Sequence, residues 1–106
     1  MSENLIELSA DEFSNKLKQD DNAVIIDVRT PGEYNEGHIP NAVLMNIYDP
    51  SFAENIHQLD RNKNYYIYCR SGNRSYHAGK YMVQLGFKNV YNLSSGIIDW
   101  EEPLEK

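Results

Sequence analysis

A single cysteine stands at the head of a polar, basic stretch in this 106-residue chain. Cys69 ends a short run of aromatic and β-branched residues, YYIYC, which is typical of a buried strand. The residues after it are small, polar or basic: Arg70, Ser71, Gly72, Asn73, Arg74 and Ser75. From Ser75 onward, apolar residues recur at i, i+3, i+4 and i+7, which predicts that a helix begins there. The pattern predicts a strand, a cysteine, a tight loop and a helix N-terminus in succession.

This order of elements suits a nucleophile that handles an anion. Backbone N–H groups of such a loop can point inward and bind negative charge. Gly72 can adopt a positive φ without steric cost, and Asn73 tolerates one better than most residues. Arg70 and Arg74 add positive charge, and guanidinium groups and helix N-termini favour a thiolate, so we expect a low pKa for Cys69. A lone cysteine is more often a buried structural residue, but that reading does not explain the polar residues that follow.

A second group of ionisable residues follows an earlier apolar run. The group consists of Asp27, Arg29, Glu33 and His38, at the end of the predicted strand 23–28 and in the segment after it. These side chains could act as acid, base or substrate contacts. Alternatively, they form a hydrogen-bonded network that holds their segment beside the cysteine loop, since buried charges must be paired. We favour the supporting role. Tyr68 or Tyr76 could line the mouth of the site.

Strand and helix patterns alternate along the whole chain. Apolar runs predict strands at residues 5–8, 23–28, 42–45, 65–69 and 90–93. Ser9 with Glu12 and Thr30 with Glu33 each match a capping box at the start of a helix. Further helices are predicted at 49–59, with Asp49 as N-cap and Pro50 at N1, from Ser75 to the stop signal at Gly86, and at 96–100. Such alternation predicts an α/β domain around a mainly parallel sheet, with Cys69 at a strand's carboxyl end, where ligands bind.

Composition limits the class of protein. A hydrophobic content of 41% and a charged content of 25% fit one globular domain over residues 1–106. The net charge of −6 argues against nucleic acid or an anionic membrane as partner. No apolar run is long enough for a membrane span, and the N-terminus lacks a secretory signal. With one cysteine and no histidine pair at ligand spacing, we expect no metal site and a reducing, cytoplasmic location. The acidic tail 101–106 is expected to fray.

The loop CRSGNRS (69–75) resembles the active-site loop of rhodanese-like sulfurtransferases. The resemblance extends to IIDVRTPGEYNEGHIPNAV (25–43) and LGFKNVYNLSSGIIDW (85–100), in the order found in that family. It implies a rhodanese-like three-layer fold, a mainly parallel sheet of about five strands with helices on both faces. It also implies that Cys69 is catalytic, that residues 70–75 bind substrate, and that Asp27 and Arg29 mainly support the site. Ser95 departs from the family, which usually has a glycine there, and this bears on substrate access.

The resemblance also implies a reaction. The Cys69 thiolate would take the outer sulfur of thiosulfate, or of a persulfide, and pass it to a thiol or to cyanide. No cofactor is required. The expected partners are a small anionic sulfur donor and a thiol acceptor, which is another molecule because the chain has no second cysteine. We expect a monomer or a weak dimer.

Two alternatives to a sulfurtransferase stay open. A cysteine-dependent phosphatase or arsenate reductase has a related loop of the form C-x5-R around a tetrahedral oxyanion. Here Arg74 follows Cys69 as C-x4-R, and the smaller ring suits one sulfur atom better than a phosphate. The other alternative is a non-catalytic rhodanese-like module that binds or regulates a partner. Inactive members of the family commonly lack the cysteine, whereas this chain retains it with its loop.

Overall fold

Five strands and four α-helices alternate along residues 5–106, the part of the chain that a computed structural model describes. The strands are β1 (Leu5–Leu8), β2 (Ala23–Asp27), β3 (Val43–Leu44), β4 (Asn64–Tyr68) and β5 (Asn89–Leu93). The helices are α1 (Ala10–Lys18), α2 (Pro31–Glu36), α3 (Phe52–His57) and α4 (Asn73–Gln84), followed by a 3₁₀ turn at Ile97–Asp99. Among the described residues, no helix has the length and apolar character needed to cross a membrane.

All neighbouring strands are parallel, in the order β1-β5-β4-β2-β3. Strand β4 therefore lies at the centre, between β5 and β2, and Cys69 follows its carboxyl end. In this arrangement the loops that follow β2, β4 and β5 meet at one edge of the sheet. The predicted α/β class, with a parallel five-stranded sheet flanked by helices, is confirmed.

The side chains on both faces of β4, the central strand, are buried. Tyr65, Ile67 and Cys69 belong to one apolar cluster, which includes residues of α3 and α4. Tyr66 and Tyr68 belong to the other cluster, on the side of α1. All five residues have at most 1% of their surface exposed. Because successive residues of a strand point to opposite faces, Cys69 is anchored by packing on both sides of the sheet.

Local capping explains where two of the helices begin. The Ser9 hydroxyl accepts from the Glu12 N–H, and the Glu12 carboxylate accepts from the Ser9 N–H at 2.9 Å. The same reciprocal pair joins Thr30 and Glu33, with 3.1 Å between the Thr30 nitrogen and Glu33 Oε1. Both predicted capping boxes are confirmed. Each satisfies N–H groups that have no partner within the helix.

The predicted start of α3 was wrong. The helix begins at Phe52 with Ser51 as its N-cap, so Pro50 lies before it rather than at N1. Asp49 instead forms a turn of its own, in which its carboxylate accepts from the Ser51 N–H at 2.9 Å. Aspartate side chains often bond the backbone two residues on in this way, which competes with helix capping.

Helix α4 begins at Asn73, two residues before the predicted start at Ser75. The first turn is polar and carries no apolar position, so hydrophobic periodicity could not reveal it.

The tail 101–106, expected to fray, makes several contacts. Glu105 exchanges two backbone hydrogen bonds of 2.8 Å with His38, and the Glu102 carboxylate accepts from Ser14 and from Lys18 on α1.

Candidate active site

The Cys69 sulfur is surrounded by hydrogen-bond donors of its own loop. Three residues separate Cys69 from the first residue of α4, and only 1% of the Cys69 surface is exposed. Its Sγ accepts from the Gly72 N–H at 3.1 Å, and from the Ser75 N–H and hydroxyl, both at 3.4 Å. The loop is therefore a cradle for negative charge, directed at the sulfur atom.

These donors decide the protonation behaviour of the thiol. Burial raises the pKa of Cys69, because a charged sulfur loses contact with water. The hydrogen bond from the Ser75 hydroxyl lowers it, as do those from the backbone N–H groups of Ser75, Ser71 and Gly72. The donors prevail, so the pKa lies below its ordinary value and the thiolate is favoured. A bound anionic sulfur atom would be stabilised in the same way.

Two glycines allow close contact between the cysteine loop and the loop after β5. Gly72 has φ +96°, and a Cβ there would lie 2.1 Å from the carbonyl oxygen of Ser94. Gly96 has φ +78°, and a Cβ there would lie 2.1 Å from the carbonyl oxygen of Arg70. Neither position can hold a side chain while the two loops keep this contact.

Backbone and side-chain hydrogen bonds join the same two loops. The Ile97 N–H donates to the Cys69 carbonyl at 3.0 Å, and the Asn92 amide donates to the Gly72 carbonyl at 3.2 Å. Asn92 is buried in β5, and sequence reasoning missed it, although a polar residue inside the run VYNL was a usable signal. Ser95 is half-buried in this segment, and its effect on access stays a prediction.

Arg74 is held by a carboxylate from a distant part of the chain. Its Nη1 and Nη2 donate to Oε1 and Oε2 of Glu33 at 2.9 and 3.0 Å, a bidentate ion pair. The pKa of Glu33 is lowered to about 2, chiefly by the hydrogen bonds from Arg74. Partial burial raises this pKa, and the hydrogen bonds from Thr30 lower it further. The pKa of Arg74 is raised in turn, chiefly by its hydrogen bonds to Glu33. Arg70, by contrast, is exposed and has no ion pair among the described residues.

Asp27 and Arg29 form a buried network behind the loop. Arg29 donates to Asp27 at 2.7 Å and to the Gly37 carbonyl at 2.7 Å, and the Tyr68 hydroxyl donates to Asp27 at 2.7 Å. The two charges are paired, as burial requires. The supporting role of Asp27 and Arg29 stays a prediction. Of the two tyrosines considered for the mouth of the site, Tyr68 is fully buried and therefore does not line it, whereas Tyr76 is 40% exposed.

His38 lies apart from the cysteine loop. Its ring stacks on Tyr34 with centroids 3.7 Å apart, and its Nδ1 lies 3.0 Å from the Tyr34 carbonyl. Its Nε2 lies 3.8 Å from a carboxylate oxygen of Glu105. Of the four residues in the second predicted group, Glu33 thus contacts the cysteine loop directly. Asp27 and Arg29 lie behind it, and His38 contacts other segments.

An open cleft of about 240 Å³ adjoins the loop at Arg70. It is formed by α2, the 3₁₀ turn and the tail, and its lining residues are Arg29, Glu33, Glu36, Gly37, Arg70, Ile97, Ile98 and Leu104. The Ile97 N–H also donates to the Cys69 carbonyl at 3.0 Å, so the cleft lies beside the backbone of the cysteine loop.

Comparison with known proteins identifies the family of this chain. The model of the rhodanese-like domain family matches residues 9–103. The chain belongs to this family. It is similar to a sulfurtransferase of Allochromatium vinosum, with 34% identity over 94 residues that cover 89% of this chain and 86% of that protein. A putative sulfurtransferase of Bacillus subtilis is 39% identical over 95 residues, covering 90% and 89% of the two chains.

Solved structures agree with the rhodanese-like fold. The crystal structure of a rhodanese-like domain protein from Staphylococcus aureus superposes with a TM-score of 0.83 at 33% identity. The match covers 95% of this chain and 97% of that one. The predicted family is therefore confirmed, both along the sequence and in the fold that positions the cysteine loop.

Proposed function

We propose that this rhodanese-like domain is a sulfurtransferase that carries sulfane sulfur as a persulfide on Cys69. The observation that carries the proposal is the set of donors from Gly72 and Ser75 around the buried sulfur, together with its lowered pKa. A nucleophilic thiolate and a cradle for an anion are the two features that such a reaction needs. Relatives named as sulfurtransferases support the same class of activity.

The first half-reaction loads the cysteine. The Cys69 thiolate attacks the outer sulfur of a donor such as thiosulfate, the donor's S–S bond breaks, and sulfite leaves with the electron pair. The product is a Cys69 persulfide, whose terminal anionic sulfur is stabilised by the N–H groups of residues 70–75. Arg70, exposed at the rim, is the cation that would orient the incoming donor. Arg74 shapes the loop through Glu33.

The second half-reaction removes the sulfur from Cys69. An acceptor thiolate attacks the terminal sulfur, and Cys69 leaves as a thiolate, which restores the starting state. The chain has no other cysteine that could attack the persulfide. The acceptor is therefore a separate molecule, and no cofactor enters either step.

Intact mass tests this proposal directly. The protein is incubated briefly with thiosulfate or glutathione persulfide, and its mass is measured before and after cyanide is added, with Cys69→Ser as control. We expect a gain of one sulfur atom that depends on Cys69 and is lost to cyanide as thiocyanate. Hydrolysis of an aryl phosphate without sulfur gain would favour the phosphatase alternative. Inertness towards every sulfur donor and towards the phosphate ester would favour a binding module.

A further inference from the structure

A buried amide lies between the edge strand β1 and the cysteine loop. Asn92 of β5 has 1% of its surface exposed, and its partner in the parallel register with β1 is Glu7. The amide nitrogen of Asn92 donates to Glu7 Oε1 at 2.9 Å and to the Gly72 carbonyl at 3.2 Å. Both hydrogens of this amide are therefore used, one towards the edge strand and one towards the loop.

The two acceptors fix the orientation of the amide. A carboxylate and a carbonyl accept hydrogen bonds and do not donate them, so the nitrogen of Asn92 rather than its oxygen must face them. As a result, Asn92 Oδ1 is buried without a hydrogen-bond partner among the described residues. An apolar side chain of similar size would leave no such atom unpaired. Stability of the fold alone therefore does not account for an asparagine at this position.

The contact of Asn92 with Gly72 acts on the sulfur atom through a single residue. Gly72 donates its N–H to Cys69 Sγ at 3.1 Å, while its carbonyl accepts from Asn92. Gly72 has φ +96° and ψ −7°, and glycine has more backbone freedom than any other residue. A rotation of the Gly72 backbone would turn its N–H away from the sulfur. A hydrogen bond to the carbonyl of the same residue opposes that rotation.

We propose that Asn92 is a positioning residue of the sulfurtransferase site, whose amide fixes Gly72 so that the Gly72 N–H stays directed at the Cys69 sulfur. Glu7 holds the amide in the orientation that this requires. The inference rests on the proposed function and adds to it a residue outside the cysteine loop, which acts on the sulfur through Gly72.

Both half-reactions depend on this hydrogen bond. In the first, it maintains the fraction of Cys69 that is ionised and able to attack. In the second, negative charge returns to Sγ as Cys69 leaves, and a thiol of lower pKa leaves faster. Loss of one hydrogen bond to a charged atom lowers the ionised fraction about tenfold. The remaining thiolate is about threefold more nucleophilic because it is more basic, so the net loss of rate is about threefold.

The test removes the amide in two ways and compares the variants with a control on the same strand. Asn92→Leu keeps the size of the side chain, and Asn92→Ala removes the amide without adding atoms that could clash. Val90→Ala removes buried apolar atoms from the same strand and the same face of the sheet, where no side-chain hydrogen bond is possible. Three properties are measured: alkylation of Cys69 by iodoacetamide as a function of pH, sulfur loading from thiosulfate by intact mass, and urea unfolding.

We expect both Asn92 variants to move the midpoint of the alkylation profile to higher pH. Below the wild-type midpoint, alkylation and loading should both slow about threefold. The two shifts should be equal, although Asn92→Ala leaves a cavity and unfolds at lower urea than Asn92→Leu. Val90→Ala should also unfold at lower urea and keep the wild-type profile. A purely structural role would move the unfolding midpoint and leave the pH profile in place.

Wild-type pH profiles for both Asn92 variants, or a shift of the same size in Val90→Ala, would overturn this inference and leave the proposed function standing. The alkylation measurement does not require sulfur transfer. Absence of sulfur loading in the wild type, from thiosulfate and from glutathione persulfide, would therefore overturn the proposed function separately, and with it the role of Asn92 in catalysis.

Discussion

The ion pair between Glu33 and Arg74 joins α2 to the first turn of α4, and we expect it to contribute measurably to stability. The substitution Glu33→Gln removes the ion pair and keeps the shape of the side chain. It also keeps the capping box with Thr30, because glutamine can take the place of glutamate in that motif. The pKa of Glu33 falls from an ordinary 4.5 to about 2, chiefly through the hydrogen bonds from Arg74. At about 1.4 kcal/mol per pKa unit, this corresponds to about 3 kcal/mol. Because the side chains of Arg74 and Glu33 are 21% and 28% exposed, water screens part of the effect, and we expect about 2 kcal/mol.

The pH dependence of this contribution has a definite sign. The pKa of Glu33 is lower in the folded state, so the folded state favours the charged carboxylate. The stabilisation is complete above the unfolded pKa near 4.5 and is lost as the pH falls towards about 2. The wild type should therefore exceed Glu33→Gln by about 2 kcal/mol at pH 7 and by less than about 1 kcal/mol at pH 3.

Urea unfolding at both pH values measures these differences. The matched control is Glu36→Gln, which removes a carboxylate from the same helix that has no ion pair among the described residues. We expect Glu36→Gln to differ little from the wild type at either pH. If Glu33→Gln lost the same free energy at pH 3 as at pH 7, or no more than the control, the reasoning from this ion pair would be refuted.

Two further predictions concern the cysteine loop. Ser75→Ala removes the hydroxyl donor at 3.4 Å from Cys69, so the pKa of the thiol should rise and its alkylation by iodoacetamide at pH 7 should slow, whereas Ser75→Thr restores both. An unchanged pH profile of alkylation would show that the hydroxyl does not stabilise the thiolate. Gly72→Ala should cost more than about 3 kcal/mol in thermal or urea unfolding, because its Cβ meets the Ser94 carbonyl. Gly86→Ala, with the same φ of +96° and no atom within 4 Å, should cost only about 1 kcal/mol, and equal losses would contradict the role of the contact.

Features that depend on neighbouring residues were accessible from the sequence. The capping boxes at Ser9 and Thr30 are complete within four residues, so the residue types alone identify them. The apolar run before Cys69 predicted a buried strand, and β4 is central in the sheet. The donors on Cys69 Sγ also come from residues at most six positions away. The local motif is therefore sufficient to predict the cradle around the sulfur.

Competition between local signals limited this approach. Asp49 and Pro50 matched a helix start, but the Asp49 carboxylate bonds the Ser51 N–H instead, and α3 begins later. The polar first turn of α4 at Asn73 carried no apolar periodicity to reveal it. In the first case a side-chain hydrogen bond competed with helix capping, and in the second case the residue types carried no apolar signal.

Contacts between distant residues required the folded chain. Glu33 and Arg74 are 41 positions apart. The sequence suggested that the segment of Glu33 supports the cysteine loop, but it did not identify Arg74 as the partner of Glu33. The order β1-β5-β4-β2-β3 brings their loops to one edge of the sheet, and the pairing of the tail with His38 adds Leu104 to the cleft. Short-range hydrogen bonds and side-chain periodicity can be deduced from residue types, since few conformations satisfy them. Which charges remain available to a reactant depends on strand order and helix packing, because only these place remote side chains within bonding distance.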